Sequence, residues 1–193
     1  MKKLLNDIRS CTICNYFLPN APRPIIQAHR DSKIAIIGQA PGQRVQNSGV
    51  PWDDASGNTL RQWLGVDKEF FYNEKLFGLM PMGFCFPGSG KSGDLPPRKE
   101  CAPTWHQSVL KATMDLRLTL LIGHYAQNYY LRGLAKSTLT ETVRNYEAYL
   151  PRYFTLPHPS PRNNIWMKKN SWFEKQLIPI LQERVNYALN RSR

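Results

Sequence analysis

Four short apolar runs recur along the chain, each bounded by glycine or proline. They lie at residues 33–41, 76–84, 116–126 and 153–161. Runs of this length and setting are typical of buried β-strands. Between and after them, apolar residues recur three and four positions apart, as in amphipathic helices, at 57–66, 101–114, 125–134 and 172–190. Pro179 is expected to kink or divide the last helix.

Strands that alternate with helices in this way predict βαβ units. The sequence therefore predicts an α/β fold, a three-layer αβα arrangement with a central four-stranded parallel sheet. Ligands of such sheets bind outside the carboxyl ends of the strands. We expect the site in the least apolar segments near those ends, which read GQAPGQ, CFPGSGKSG, GHYAQ and HPSPRN. No repeat or long linker divides the chain, so one domain over residues 1–193 is expected.

The charge of the chain indicates what kind of partner it binds. Twenty-six Lys and Arg against fourteen Asp and Glu give a formal net charge of +12. Such an excess favours a polyanion, with nucleic acid ahead of an anionic membrane surface. No apolar run approaches the roughly 18 residues of a membrane span, and no sustained apolar stretch follows the basic residues of the first ten. We expect a cytoplasmic monomer that does not bind membranes.

The loop after the first predicted strand reads GQAPG at residues 38–42. A glycine-rich turn often does no more than reverse the chain. Its functional interpretation is that Gly38 and Gly42 allow close approach of a ligand, so that the amides of Gln39 and Ala40 face a ligand oxygen. The sequence leaves both interpretations open.

The next loop, SGVPWDDASG at residues 48–57, places an aromatic and two acids among few apolar neighbours. Trp52 is either a core residue, as most tryptophans are, or an exposed stacking surface. Asp53 and Asp54 either cap the helix that follows or orient a water molecule.

The segment PHPSPRNN at residues 157–164 sets one histidine between two prolines. Each proline fixes its own φ and restricts the residue before it, so His158 and Ser160 have few conformations available. Either this is a proline-punctuated turn with a solvated histidine, or it is a rigid loop that holds the histidine for a purpose.

The cysteines form a C-x2-C pair and a widely spaced second pair, at positions 11, 14, 85 and 101. A two-residue spacing brings two sulfurs to one ion, which argues against scattered, unligated thiols. Four thiolates suffice for Zn or for a [4Fe-4S] cluster. The loop between the second pair is rich in Gly, Pro and basic residues, and is also a candidate phosphate contact.

Taken together and in order, these motifs resemble the uracil-DNA glycosylase superfamily, and most closely its iron-sulfur branch, family 4. The resemblance covers roughly residues 8–175 and runs from the C-x2-C pair to the final His-Pro loop. It implies an αβα fold and hydrolysis of the bond between a damaged base and deoxyribose in DNA. It also implies a [4Fe-4S] cluster, with Zn less favoured, held by Cys11, Cys14, Cys85 and Cys101.

The resemblance also implies roles for the loop residues around the flipped base. His158 would donate a hydrogen bond to the leaving base, with the amide of Gln39 or Ala40 as a second donor. Trp52 would cover the face of the base. Asp53 or Asp54 would activate water.

The same resemblance implies contacts to the DNA from the end of the His-Pro loop. Ser160 would bind a backbone phosphate, and Arg162 occupies the place where related glycosylases insert a wedge beside the flipped base. Asn163 is a further DNA-binding candidate.

Two positions depart from the family pattern. Gln39 stands where the family usually has Glu, and Pro81 stands where it typically has the Asn that reads uracil. Proline cannot replace an amide that donates and accepts hydrogen bonds, so the excised base is left open between uracil and related bases. No lysine stands in a nucleophile setting, which predicts a monofunctional enzyme without lyase activity. The alternatives are a catalytically inactive nucleic-acid-binding protein on the same scaffold and a Zn-ribbon binding module.

Overall fold

A four-stranded parallel sheet forms the centre of the protein in a computed structural model that describes residues 1–91 and 93–190. Its strands are β1 (Ile34–Ile37), β2 (Phe77–Leu79), β5 (Leu118–Ile122) and β6 (Tyr153–Leu156). The order across the sheet is β2-β1-β5-β6, and every neighbouring pair is parallel. A separate antiparallel hairpin pairs β3 (Ser89–Gly90) with β4 (Gly93–Asp94). The four predicted strands are confirmed, each shorter than its apolar run.

Helices follow the strands as the apolar spacing predicts. The four predicted helical regions overlap α3 (Ala55–Leu64), α5 (Gln107–Ala112), α6 (Gly123–Leu131) and α9 (Ile178–Ala188). Further helices that the sequence analysis did not single out are α1 (Lys2–Arg9), α2 (Gln43–Ser48), α4 (Lys68–Tyr72), α7 (Leu139–Arg144) and α8 (Asn164–Lys169). Single 3-10 turns lie at Asn15–Phe17, Tyr146–Tyr149 and Pro161–Asn163.

Prolines near the starts of α5 and α9 coincide with changes of helix type. A π-helical turn at Phe173–Leu177 precedes α9, in which Pro179 occupies the first turn. A second π-helical turn, Ala102–His106, contains Pro103 and leads into α5. Because proline lacks an N–H, it breaks the regular i→i−4 ladder, and a wider turn accommodates the gap. The predicted division of the last helix at Pro179 is confirmed.

Both faces of the sheet are buried. Alternate side chains of β5 point to opposite faces, so that Leu120 lies in one hydrophobic cluster and Leu121 in the other. The first cluster packs against α3 and α9, and the second against α1, α5 and α6. The predicted three-layer αβα fold is confirmed. Within the described residues, no helix is both long and apolar enough to cross a membrane.

A buried histidine joins the second layer to the end of β2. His106 is 1% exposed, and its two ring nitrogens lie 2.7 Å from the Tyr130 hydroxyl and 3.1 Å from the Pro81 carbonyl oxygen. A carbonyl only accepts, so Nε2 carries the proton and Nδ1 accepts from Tyr130. Burial lowers the pKa of His106 to about 4. The ring is therefore neutral at pH 7. Its Nε2–H holds the Pro81 carbonyl oxygen in place from the core side.

The buried His106 predicts an acid-sensitive fold. Between about pH 6.5 and about pH 4 the unfolded chain binds a proton at residue 106 that the folded protein does not, so stability falls as the pH decreases through this window. His106→Gln should abolish up to about 3 kcal/mol of that pH dependence. Urea unfolding at pH 7.5 and pH 4.5 measures it, with the exposed His124→Gln as the matched control. An unchanged pH dependence in His106→Gln would contradict the assignment.

Candidate active site

An open pocket of about 440 Å³ lies at the carboxyl edge of the sheet. This volume falls within the roughly 300–1,000 Å³ that is usual for small-molecule sites. Five segments line it, contributing Gly38, Gln39, Ala40, Pro41, Gly42, Val45, Pro51, Trp52, Asp54, Ser56, Pro81, Gly93, Asp94, His158, Ser160, Arg162 and Asn163. The loops that follow β1, β2 and β6 therefore meet in one place, as the topology of a parallel sheet requires.

His158 is held rigidly at the end of β6. Pro157 and Pro159 are both buried, and the Asn163 side-chain amide donates a hydrogen bond of 2.6 Å to the His158 carbonyl oxygen. The imidazole stacks against the Trp52 indole with ring centroids 5.8 Å apart and an interplanar angle of 29°. The solvated proline-rich turn that the sequence left open is therefore not what forms.

The environment of His158 keeps its ring neutral near pH 7. Burial lowers the pKa of His158, and the carboxylates of Asp54 and Asp94 oppose the shift without reversing it. A neutral imidazole still carries one N–H and can donate one hydrogen bond to a ligand. Desolvation of the ring lowers this pKa, because burial penalises the charged form.

Trp52 has an unusual backbone conformation beside the histidine. Its φ of 59° lies in the left-handed region, which a bulky residue rarely adopts. Tyr72 donates a hydrogen bond of 3.0 Å to the carbonyl oxygen of the preceding Pro51. Gly57 lies so close that a Cβ there would overlap the Trp52 carbonyl oxygen. The indole also borders Gly38, where an added Cβ would lie 2.7 Å from its six-membered ring.

A buried arginine supports the same turn and was not identified from the sequence. Arg61 in α3 is 8% exposed, and its guanidinium lies over the rings of Phe71 and Tyr72, 5.3 and 5.7 Å from their centroids. It donates to the Asn58 side chain and, at 3.5 Å, to the Trp52 carbonyl oxygen. The sequence did hold a signal for it, because Arg61 is a basic residue at a position of the helix that faces the core. Trp52 is thus half-buried, packed on the core and exposed to the pocket.

The two adjacent acids of the loop separate in space. Asp54 lines the pocket and also caps α3, where its Oδ1 accepts a 2.8 Å hydrogen bond from the Gly57 amide. Asp53 is not among the lining residues, and its Oδ1 lies 4.0 Å from the Lys68 ammonium. The sequence predicted that one or both of these acids cap the helix, and the residue that does so is Asp54.

The candidate donors of the GQAPG loop line the same pocket. Gln39 and Ala40 both border it, and the Gln39 side-chain amide donates at 3.4 Å to the Leu95 carbonyl oxygen of the neighbouring loop. Pro81 forms part of the pocket wall.

The end of the His-Pro loop closes the pocket on its outer side. The Ser160 hydroxyl accepts a hydrogen bond from the Arg162 amide at 3.2 Å, which starts the 3-10 turn. Arg162 extends towards the hairpin, where a Cβ on Gly93 would overlap its guanidinium. Asn163 is turned inwards to the His158 carbonyl, so its side chain positions the histidine in this structure.

One predicted segment does not reach the pocket. GHYAQ follows β5, but none of its residues is among those lining the site. Gly123 starts α6 directly behind His158, and an added Cβ would lie 3.9 Å from the histidine Cβ. The helix begins as soon as β5 ends, which leaves no free loop to enter the pocket. The expectation that all four segments contribute was wrong here.

The four cysteines line one small cavity of about 20 Å³, together with Pro22, Pro24, Phe84 and Arg98. Burial raises the pKa of Cys85 to about 11 and that of Cys101 to about 12. The Phe84 amide donates a 3.4 Å hydrogen bond to the Cys101 sulfur. In the described part of the chain, no three His, Cys, Asp or Glu side chains form a group that could hold a metal ion.

Comparison with known proteins gives the family of this fold and site. Residues 26–182 match the model of the uracil DNA glycosylase superfamily. The chain belongs to this superfamily. It is also similar to the solution NMR structure of a provisionally assigned uracil DNA glycosylase from Methanosarcina acetivorans, with a TM-score of 0.43 and 17% identity over 81% of this chain and 93% of that chain.

The close approach of Gly57 to Trp52 gives a test of the site. Gly57→Ala should force the Trp52 turn to move, because the new methyl group meets a backbone oxygen that cannot rotate away. We expect a stability loss of about 1–3 kcal/mol by urea unfolding. The Trp52 indole resonance, identified by its absence in Trp52→Phe, should also shift. Thr59→Ala in the same helix is the control, and an unmoved indole resonance in Gly57→Ala would contradict this geometry.

Proposed function

We propose that this protein is a monofunctional DNA glycosylase, which flips a deaminated base, uracil or a related one, out of DNA and hydrolyses its glycosidic bond. The product would be an abasic site. The observation that carries the proposal is the half-buried, neutral His158, held between two buried prolines and stacked on Trp52 at the edge of a pocket of about 440 Å³. Membership of the superfamily supports it.

The chemistry requires a fixed donor at the leaving base. As the glycosidic bond stretches, its electron pair moves onto the base, and negative charge gathers largely on the base O2. A donor already held at that oxygen stabilises the transition state more than the ground state. His158 supplies an N–H without bringing a full positive charge, and the amide of Gln39 or Ala40 supplies a second donor.

The walls of the pocket would bind the flipped base. The Trp52 indole offers an aromatic face, and base stacking on such a face contributes roughly 1–3 kcal/mol. Pro81 offers an apolar wall and no side-chain amide, so the polar edge of the base is not read there as an asparagine would read it. The pocket therefore supports several deaminated bases as candidates.

DNA would approach over the outer rim of the pocket. Ser160 and Arg162 lie there, and the net charge of +12 favours a polyanion at this or any other basic face. Arg162 occupies the wedge position of the His-Pro loop and would contact the strand beside the flipped nucleotide.

Oligonucleotides that carry uracil, hypoxanthine or xanthine test the function directly. The purified protein should leave alkali-labile abasic sites in at least one of them and no strand break before alkali treatment. Binding without any base release would favour the second candidate, an inactive nucleic-acid-binding protein, which the absence of a reading amide at Pro81 supports.

His158→Ala separates chemistry from binding. We expect DNA affinity close to that of the native protein and single-turnover excision slower by about 10²- to 10³-fold, the usual loss when one such donor is removed. Because the pKa of His158 is lowered, native excision should not fall between pH 7 and pH 8. Excision by His158→Ala at the native rate would refute the mechanism.

The matched variant is Arg162→Ala, on the outer rim. It should weaken DNA binding or base flipping and cause the smaller loss once the base is in the pocket.

We further propose that the four cysteines hold a [4Fe-4S] cluster, as in the iron-sulfur branch of the superfamily. Four sulfurs line one buried cavity, and one of them accepts a backbone hydrogen bond, which is the ligand chemistry that such a cluster needs. The side chains would have to close in around it. The cluster would supply structure, because it would join the N-terminal segment to both ends of the 85–101 loop.

Cys85→Ser tests the cluster. We expect loss of the bound iron, measured by metal analysis and by absorbance, and DNA binding weakened more than the stability of the sheet. Thr12→Ser, between the first two cysteines, is a control that keeps all four sulfurs. Full metal retention in Cys85→Ser would contradict the four-cysteine assignment, and bound zinc in the native protein would replace the cluster by a Zn site.

A further inference from the structure

The 85–101 loop brings a carboxylate into the pocket that the sequence analysis did not consider. Its hairpin, β3 and β4, ends at Asp94, which lines the pocket together with Gly93. The loop following β1, GQAPGQRVQ, contains no carboxylate of its own. Asp94, from a different part of the chain, therefore brings a negative charge to this side of the pocket, where the loop after β1 has none.

The Asp94 carboxylate is held in a defined place. The Ser89 hydroxyl donates a 3.1 Å hydrogen bond to its Oδ1 across the hairpin. Its Oδ2 lies beside Gly42, where an added Cβ would be only 3.2 Å away. One oxygen is thus anchored by the hairpin, and the other is directed towards the loop that forms the pocket wall.

Asp94 and Asp54 are the carboxylates whose charge acts on His158, and their positions differ. Asp54 is half-buried, and its Oδ1 is engaged in capping α3. Asp94 is exposed at the rim. When a base enters the pocket beside the stacked rings of Trp52 and His158, its deoxyribose remains at the rim, attached to the DNA strand. The carboxylate that meets the sugar is then Asp94.

We propose that Asp94 is a catalytic residue of this glycosylase, which stabilises the positive charge on the deoxyribose and orients the attacking water. The inference rests on the proposed function. In the reaction, the C1′–N bond breaks with its electron pair passing to the base, and positive charge develops at C1′. Water then forms a bond to C1′ and gives a proton to the Asp94 carboxylate. That proton passes to solvent, and the base anion takes one from solvent.

Asp94→Asn tests the role, because the amide keeps the shape and can still accept from Ser89 while losing the charge. We expect single-turnover excision of the best base in the panel to slow by about 100-fold, the lower end of the range for a general base. DNA affinity should be unchanged or higher, since a negative charge is removed from the rim. Glu183→Gln makes the same charge change on an exposed face of α9 and should behave as the native protein.

Two further measurements separate a catalytic role from a hairpin-stabilising one. Ser89→Ala leaves the charge but removes its anchor, so it should slow excision less than Asp94→Asn. In Asp94→Asn the pKa of His158, followed by NMR titration of its ring, should fall further below its native value, because one attracting carboxylate has been lost. A hydrogen bond that only stabilised the hairpin would give the larger effect in Ser89→Ala, because Asp94→Asn keeps an acceptor for the Ser89 hydroxyl.

The outcomes distinguish this inference from the proposed function. If the native protein excises a base and Asp94→Asn does so at the native rate, the role of Asp94 is refuted and the glycosylase function stands. If the native protein releases no base from any oligonucleotide, both are refuted.

Discussion

The stacking contact between Trp52 and His158 is the interaction on which the candidate site depends. It joins the loop before α3 to the loop after β6, two segments that are about a hundred residues apart in the chain. Neither ring is held by the contact alone. The indole stands on a left-handed turn supported by Arg61 and Tyr72, and the imidazole on a proline-bounded turn closed by Asn163. Each ring is therefore fixed in the pocket wall by its own segment of the chain.

Burial explains why this arrangement suits a neutral donor. A histidine on an exposed turn would titrate close to its ordinary value near 6.5. Enclosure by the prolines and the indole disfavours the protonated form, and the nearby carboxylates of Asp54 and Asp94 only reduce that effect. The same physics acts on His106 behind the pocket wall, where the neutral ring can donate to the Pro81 carbonyl. The two histidines differ in position: the half-buried His158 faces the pocket, and the fully buried His106 lies behind its wall.

The 85–101 loop connects the two chemically distinctive regions of the protein. Its ends are Cys85 and Cys101, which border the cysteine cavity, and its hairpin contributes Gly93 and Asp94 to the pocket. Arg162 extends from the His-Pro loop to the same hairpin. A change at the cysteines would therefore reach the pocket through a short, continuous piece of chain. The proposed cluster would therefore contribute to the pocket through the structure of this loop.

Local patterns in the sequence were sufficient for the fold and for part of the site. Short apolar runs bounded by Gly and Pro, alternating with helical spacing, predicted the parallel αβα sheet, because burial on both faces leaves that pattern in the strands. The stiffness of the His-Pro loop could also be predicted, since proline restricts the chain wherever it stands. These features depend on neighbours in sequence, so the sequence by itself determined them.

Contacts between distant segments were decided only by the tertiary structure. The sequence could not separate Asp53 from Asp54, which differ in the direction that the turn gives them. Nor could it indicate that Asp94 reaches Gly42, or that Arg61 supports Trp52, because each pairing arises from the packing of separate elements. The sequence analysis placed the segment GHYAQ at the site. In the structure α6 begins at Gly123, directly after β5, so this segment is helical and does not line the pocket. Side-chain direction and through-space charge are properties of the packed molecule, and no local pattern encodes them.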